Sequence, residues 1–146
     1  MRALLDVNVL IALLDGGHLH HRLSRGWLAR HLDAGWASCP LTQNGCIRIL
    51  SQPAYPNSVP VARVAERLAE AARDLAHAFW PDSISLLQAD RVTWDRLLSS
   101  RQVTDAYLLA LAVERDQAFV AAGLDGVDHA LQRRLGVGAA GRAVQR

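Results

Sequence analysis

Apolar runs and helical stripes alternate along the chain. Residues 3–7 are apolar apart from Asp6, a short run that predicts a buried parallel strand. Residues 9–14 predict a short helix, stopped by Gly16 and Gly17. Residues 20–32 have helical periodicity, with Leu23, Trp27, Leu28 and Leu32 on one face. Gly35 ends that segment, and residues 36–39 predict a second strand. After Pro40, residues 41–50 predict a helix with Thr42 near its N-cap. Residues 52–60 hold Pro53, Pro56 and Pro60 and predict a loop. Residues 61–76 predict an amphipathic helix, with Val64, Leu68 and Leu75 inward and Glu66, Arg67, Glu70 and Arg73 outward. A third strand with a turn is expected within residues 79–87, and residues 92–98 show no clear period. Thr104 is expected to cap a strong helix over residues 105–115, whose core face is Leu108, Leu109, Leu111 and Ala112. Residues 118–122 predict a further strand and residues 124–135 a helix. Residues 136–146, rich in Gly and Ala, are expected to be a frayed end.

Strands alternating with helices predict an α/β layer fold with a mainly parallel sheet. In such sheets ligands sit at the carboxyl ends of the strands, near the point where the strand order reverses. That rule singles out Asp6, at the carboxyl end of the first strand.

Composition narrows the chemistry. The chain has 146 residues, 51% hydrophobic and 21% charged, which fits one globular domain with a core of its own. A net charge of +2 does not by itself demand a nucleic-acid partner. All sixteen basic residues are Arg. The absence of Lys excludes a Schiff-base lysine, a P-loop lysine and a kinase-type phosphate lysine. Cys39 and Cys46 are seven apart and form no CxxC pair, so no zinc framework is suggested and a reduced, cytoplasmic protein is expected. Asp6 interrupts any signal-peptide core, and no apolar run approaches the roughly 18 residues of a membrane span.

Two carboxylates stand out. Asp6 closes a buried strand, which is costly unless an arginine, backbone amides or a metal ion meets it; it could also cap the next helix. Asp105 lies in the first turn of an almost wholly apolar helix, where it suits the helix dipole and could equally be a second metal-binding carboxylate. Two carboxylates at the strand-end edge suit one hard cation such as Mg²⁺. Such an ion lowers the pKa of bound water and steadies charge on a phosphoryl oxygen. No nucleophilic Ser or Cys with a positioned His is evident.

Three segments, residues 4–12 (LLDVNVLIA), 39–50 (CPLTQNGCIRIL) and 102–112 (QVTDAYLLALA), resemble a PIN domain. More narrowly they resemble the VapC-type toxins of bacterial toxin–antitoxin pairs, in the branch with Thr42-Gln43-Asn44-Gly45. The resemblance runs from residue 1 to about residue 122 and implies a three-layer α/β/α sandwich with a mainly parallel sheet of four to five strands. The nuclease domain would then span residues 1–135. It also implies a cytoplasmic, Mg²⁺-dependent endoribonuclease with Mn²⁺ able to substitute. Its partners would be an RNA substrate, a second copy of itself and a small cognate antitoxin, with no membrane.

By that resemblance Asp6 and Asp105 are catalytic and metal-binding. Asn8 and Thr104 would orient them, and Arg48 and Arg101 could hold RNA phosphate, pair with Asp105 or lie on the surface. Many relatives carry a glutamate where Gly45 stands; here Asn44, Gln43 or a water could supply a neutral oxygen. A fourth acidic residue often follows the last strand, where this chain has Ala121-Ala122-Gly123. The next acidic residue, Asp125, reaches the site only if the loop bulges and is otherwise a solvated loop residue. Gly45 and Gly123 favour the alternative, a degenerate PIN domain that holds RNA or antitoxin without cutting. A phosphatase of the Asp-x-Asp type is disfavoured by Asn8 and the missing lysine. His18, His20 and His21 are read as capping or surface packing; Trp27, Trp36 and Trp80 are read as core, leaving Trp94 to stack on a base.

Overall fold

A computed structural model of the chain describes residues 1–121. The helix expected over residues 124–135, the end at 136–146, Gly123 and Asp125 lie outside the described residues. In chain order the elements are β1 (Ala3–Leu5), α1 (Val7–Leu14), α2 (His21–His31), β2 (Trp36–Ser38), α3 (Pro40–Leu50), α4 (Val61–Ala71), β3 (His77–Phe79), a short 3₁₀ turn (Trp94–Arg96), α5 (Gln102–Glu114) and β4 (Ala118–Val120).

The four strands form one all-parallel sheet in the order β3-β2-β1-β4. The chain steps outward from β1 to β2 to β3, then returns to the other side of β1 as β4. The order therefore reverses between β1 and β4, and a crevice opens at their carboxyl ends. Every residue of β1, β2 and β4 is buried, as strands covered on both faces must be.

Strand alternation divides the interior into two cores. Ala3, Leu5, Trp36, Ala118 and Val120 pack with Val9, Leu10 and Ile11 of α1, Cys46 and Leu50 of α3, and Val64 and Leu68 of α4. Leu4, Ala37 and Phe119 point the other way and pack with α5. The result is the three-layer α/β/α sandwich expected from the sequence. Helix α5 is apolar on nearly all sides because the segment after β3, with Trp80, Ile84, Leu86, Val92 and Leu97, covers the face it turns away from the sheet. Arg91 in that segment is buried and pairs with Glu114 at 2.7 Å, tying the cover to the end of α5.

Gly35, entering β2, has φ +79°, and a Cβ there would meet the Ala76 carbonyl oxygen at 2.5 Å. Only glycine fits that turn without strain.

Several expected details differ. Helix α4 ends at Ala71, and Leu75, expected inward, is 99% exposed. The chain needs residues 72–76 to turn into β3, and the Asp74 carboxylate accepts from the Ala76 amide at 2.8 Å to make that turn. The third strand is His77–Phe79, earlier than expected. In α2 only Ser24 and Trp27 are buried; Leu23 and Leu32 face solvent, because the helix rests on the core mainly through one indole. Pro40 is the first residue of α3 rather than the one before it, with Cys39 as the cap; Thr42 lies near that cap, as expected, with its hydroxyl on the Cys39 backbone. Helix α5 begins at Gln102, so Thr104 is not its cap. Gln102 Oε1 accepts instead from the Leu98 and Ser99 amides at 2.7 and 3.0 Å, bracing the incoming loop.

Candidate active site

Asp6 sits where β1 becomes α1. Its amide donates to the Val120 carbonyl at 2.9 Å, so the β1–β4 ladder reaches this residue. Its extended backbone makes it the N-cap of α1. Its side chain accepts from the Asn8 amide at 3.4 Å and the Asn8 Nδ2 at 3.2 Å. Asp6 is 5% exposed and belongs to no ion pair among the described residues. Burial pushes its carboxyl above the usual carboxylate range, with hydrogen bonds from Val7 and Asn8 opposing the rise.

A cleft of about 490 Å³ opens beside it. Asp6, Val7 and Asn8 form one wall, Arg101, Thr104 and Asp105 of the α5 start another, and Leu41, Asn44, Gly45, Arg48 and Ile49 of α3 the third. The α3 positions are three or four apart, which is why they share one helix face. The cleft thus gathers Asp6, Asn8, Asn44, Arg48, Arg101, Thr104 and Asp105 from distant parts of the chain. Asp125 lies outside the described residues.

Arg48 and Arg101 are exposed, and neither forms an ion pair with a described carboxylate. Two guanidiniums and two carboxylates therefore face one space. Gln43 is drawn away from it: its Nε2 donates to Ser38 Oγ at 2.9 Å, and Ser38 bonds His77 Nε2 at 2.8 Å. Of the two amides considered for a neutral oxygen, only Asn44 lines the cleft. A Cβ on Gly45 would lie 2.8 Å from Val7 Cγ2. Position 45, where the resemblance implies a glutamate in other members, is a close contact between α3 and α1 here. Among the described residues no group of three or more His, Cys, Asp or Glu is poised to hold a metal ion.

Both cysteines are buried, and burial pushes the Cys46 thiol up to about 12 and raises Cys39. Neither is a nucleophile at neutral pH. The histidines near α2 serve the backbone: His21 Nδ1 meets the Ala12 carbonyl at 2.7 Å, and His18 Nδ1 accepts from the His20 amide at 3.1 Å. Trp27, Trp36 and Trp80 are core residues, while Trp94 is about half exposed. The apolar rim of the cleft, Val7, Leu41 and Ile49, leaves no mark in the sequence, because apolar residues on buried elements carry no signal that separates lining from core. The Ser38–His77 pair is equally silent, its partners being 39 positions apart.

The profile of the PIN-domain family matches residues 3–128. The chain is 51% identical over 120 residues to ribonuclease VapC44 of Mycobacterium tuberculosis, covering 82% of this chain and 84% of the relative. It is 41% identical over 115 residues to ribonuclease VapC38 of the same organism, covering 77% and 79%, and 39% identical over 114 residues to ribonuclease VapC39, covering 77% and 81%. A buried aspartate at the reversal point of a parallel sheet, sharing a cleft with a second aspartate near the start of α5, agrees with that kinship; the chain belongs to the PIN-domain family, among its VapC-type members.

Proposed function

We propose that this protein is an endoribonuclease dependent on Mg²⁺ that acts in the cytoplasm as the toxin of a toxin–antitoxin pair. One observation carries the reading: Asp6, buried at the reversal point and in no described ion pair, shares its cleft with Asp105 and two arginines not paired with described carboxylates. Burying a carboxylate this way costs stability, and a cationic ligand that arrives later would offset the cost. The relatives named as ribonucleases support the same reading.

The donor set fits a hard cation. Asp6 and Asp105 would hold it, with Asn44 or water adding neutral oxygens; Mg²⁺ commonly accepts one or two protein carboxylates and keeps several waters. Mn²⁺ suits the same oxygens and should substitute. When bound, the ion makes a coordinated water more acidic and neutralises charge at the phosphoryl group. The chain's own residues do the rest. Asn8 fixes the Asp6 carboxylate with its two hydrogen bonds. Thr104 flanks Asp105 and can orient it. Arg48 and Arg101, from α3 and the start of α5, grip the phosphodiester, since a guanidinium fork matches phosphate oxygens bidentately. A homodimer and a small antitoxin that blocks the cleft complete the proposal.

A second reading is favoured by Gly45 and by the lack of a third poised carboxylate among the described residues: a PIN domain that binds RNA or antitoxin without cutting. Incubating antitoxin-free protein with structured RNA separates the two. Cleavage that needs Mg²⁺, stops with chelator and is lost in Asp6→Asn supports the nuclease. Tight RNA binding with no cleavage by the wild type supports the binding module.

A further inference from the structure

At the opposite end of β1 lies a second polar pocket of about 390 Å³, lined by Met1, Arg2, Ala34, Trp80, Arg115 and Gln117. Arg2 directly precedes β1, and Arg115 and Gln117 directly precede β4, so the pocket sits at the pole of the sheet away from Asp6. Among the described residues two guanidiniums line it and no carboxylate does. Arg2 Nε and Arg115 Nε are both buried without a hydrogen-bond partner. Neither guanidinium is in an ion pair with a described carboxylate, although Asp33 and Asp116 are chain neighbours of the lining residues.

The surroundings hold these groups in place. The Arg115 guanidinium lies over the Trp80 ring, 5.3 Å from its centroid, and Trp80 is buried. Gln117 Oε1 accepts from the Arg2 amide at 2.7 Å, and the Arg2 carbonyl accepts from the Ala118 amide at 3.0 Å. The Gln117 side-chain NH₂ remains available as a donor. Two guanidiniums on one pocket, with buried donors unmet, are unfavourable unless an anion joins them.

We propose that Arg2, Arg115 and Gln117 form a binding site for a phosphate-class oxyanion, separate from the nuclease cleft and independent of the nuclease reading. The shape of the donor set selects the chemistry: two planar forks and an amide NH₂ suit a tetrahedral, multiply charged oxyanion better than chloride. The phosphate could be a free anion or a phosphate of an RNA strand that continues past the cleft.

The test uses full-length protein carrying Arg48→Gln and Arg101→Gln, so that the cleft contributes little phosphate binding. Thermal unfolding is followed against inorganic phosphate, with chloride at equal ionic strength as reference. Phosphate should raise the Tm more than chloride does, as any ligand of the folded state must. Adding Arg2→Gln or Arg115→Gln should weaken the apparent phosphate affinity about tenfold or more, and Arg115→Lys, which keeps the charge but not the fork, should weaken it less. Far-UV circular dichroism in chloride shows whether each variant is folded, and the single variants stand in if a combination is not. A phosphate response equal to that of chloride, or one unchanged by Arg2→Gln and Arg115→Gln, overturns the proposal. Binding of a short RNA in chelator then assigns the source. A shallower salt dependence in Arg2→Gln/Arg115→Gln, by about 0.7 for each RNA phosphate no longer neutralised, marks an RNA strand. An unchanged RNA salt slope alongside a weakened phosphate response marks a free anion.

Discussion

Asn8 holds Asp6 through both its backbone amide and its side-chain Nδ2, at 3.4 and 3.2 Å from the same carboxylate oxygen. That double hydrogen bond fixes the orientation of a buried acid whose pKa burial has raised. Asn8→Ala keeps the backbone bond and removes the side-chain one. RNA cleavage should fall about 10- to 100-fold, the usual cost of removing a group that orients a metal-binding side chain. The loss should be partly restored by higher Mg²⁺ in a steady-state titration.

The raised pKa of Asp6 also makes a stability statement. The folded state holds its proton to higher pH than the unfolded chain, so its contribution is fully present below the unfolded value and is lost as pH rises through the folded one. At neutral pH, above the ordinary carboxylate range, the buried Asp6 therefore costs the fold stability. Asp6→Asn should raise the Tm at pH 7 without Mg²⁺, and the difference should shrink on acidification toward the ordinary carboxylate value of 3.8. A lower Tm for Asp6→Asn at pH 7 would count against the burial argument.

Gly45 and Val7 bring α3 and α1 together at the edge of the cleft. Helix propensity alone favours Ala over Gly by about 1 kcal/mol. Here a Cβ would meet a β-branched side chain that cannot swing aside freely. Gly45→Ala should therefore lower the Tm rather than raise it. Gly45→Glu should cost about 1–3 kcal/mol, the range for overpacking. Val7→Ala should recover part of that cost in a double-mutant cycle read by urea unfolding.

His77 packs near Trp36, with ring centroids 4.3 Å apart, and bridges Ser38 Oγ and the Ala72 carbonyl. Burial, with a smaller contribution from Arg2, holds its pKa below 6.5. The unfolded chain then binds the proton first, so stability is full above pH 6.5 and declines as pH falls toward the folded value. Acid-side Tm measurements should show that decline, and His77→Phe should flatten it.

In the proposed function Arg48 and Arg101 serve the substrate. Arg48→Gln and Arg101→Gln should each weaken RNA binding in chelator and reduce its salt slope by about 0.7. Thermal stability should change little, since both side chains are exposed.

Much of this site is legible in the sequence alone. Asp6 stands out because a carboxylate ending an apolar run must be accounted for, and the α/β rule tells where such a residue points. Asp105 is marked by the buried helix behind it. The details that escape depend on tertiary context. Leu75 continues the period set by Val64 and Leu68, yet the chain must leave α4 at Ala71 to reach β3 in register with Trp36. Leu23 and Leu32 keep helical spacing on a helix that buries only Ser24 and Trp27. Thr104 has the chemistry of a cap, but Gln102 already braces the loop two residues earlier. The closure of position 45 by Val7 has no sequence signature, because it is a distance between two helices rather than a pattern in one.

A crystal of the protein soaked in Mn²⁺ and measured at the manganese edge tests the assignment of both aspartates at once. The expected result is one anomalous peak in the cleft, about 2.1 Å from a carboxylate oxygen of Asp6 and of Asp105, and absent in Asp6→Asn. A peak touching only one of the two carboxylates, or no peak from a preparation that still cuts RNA, would contradict it.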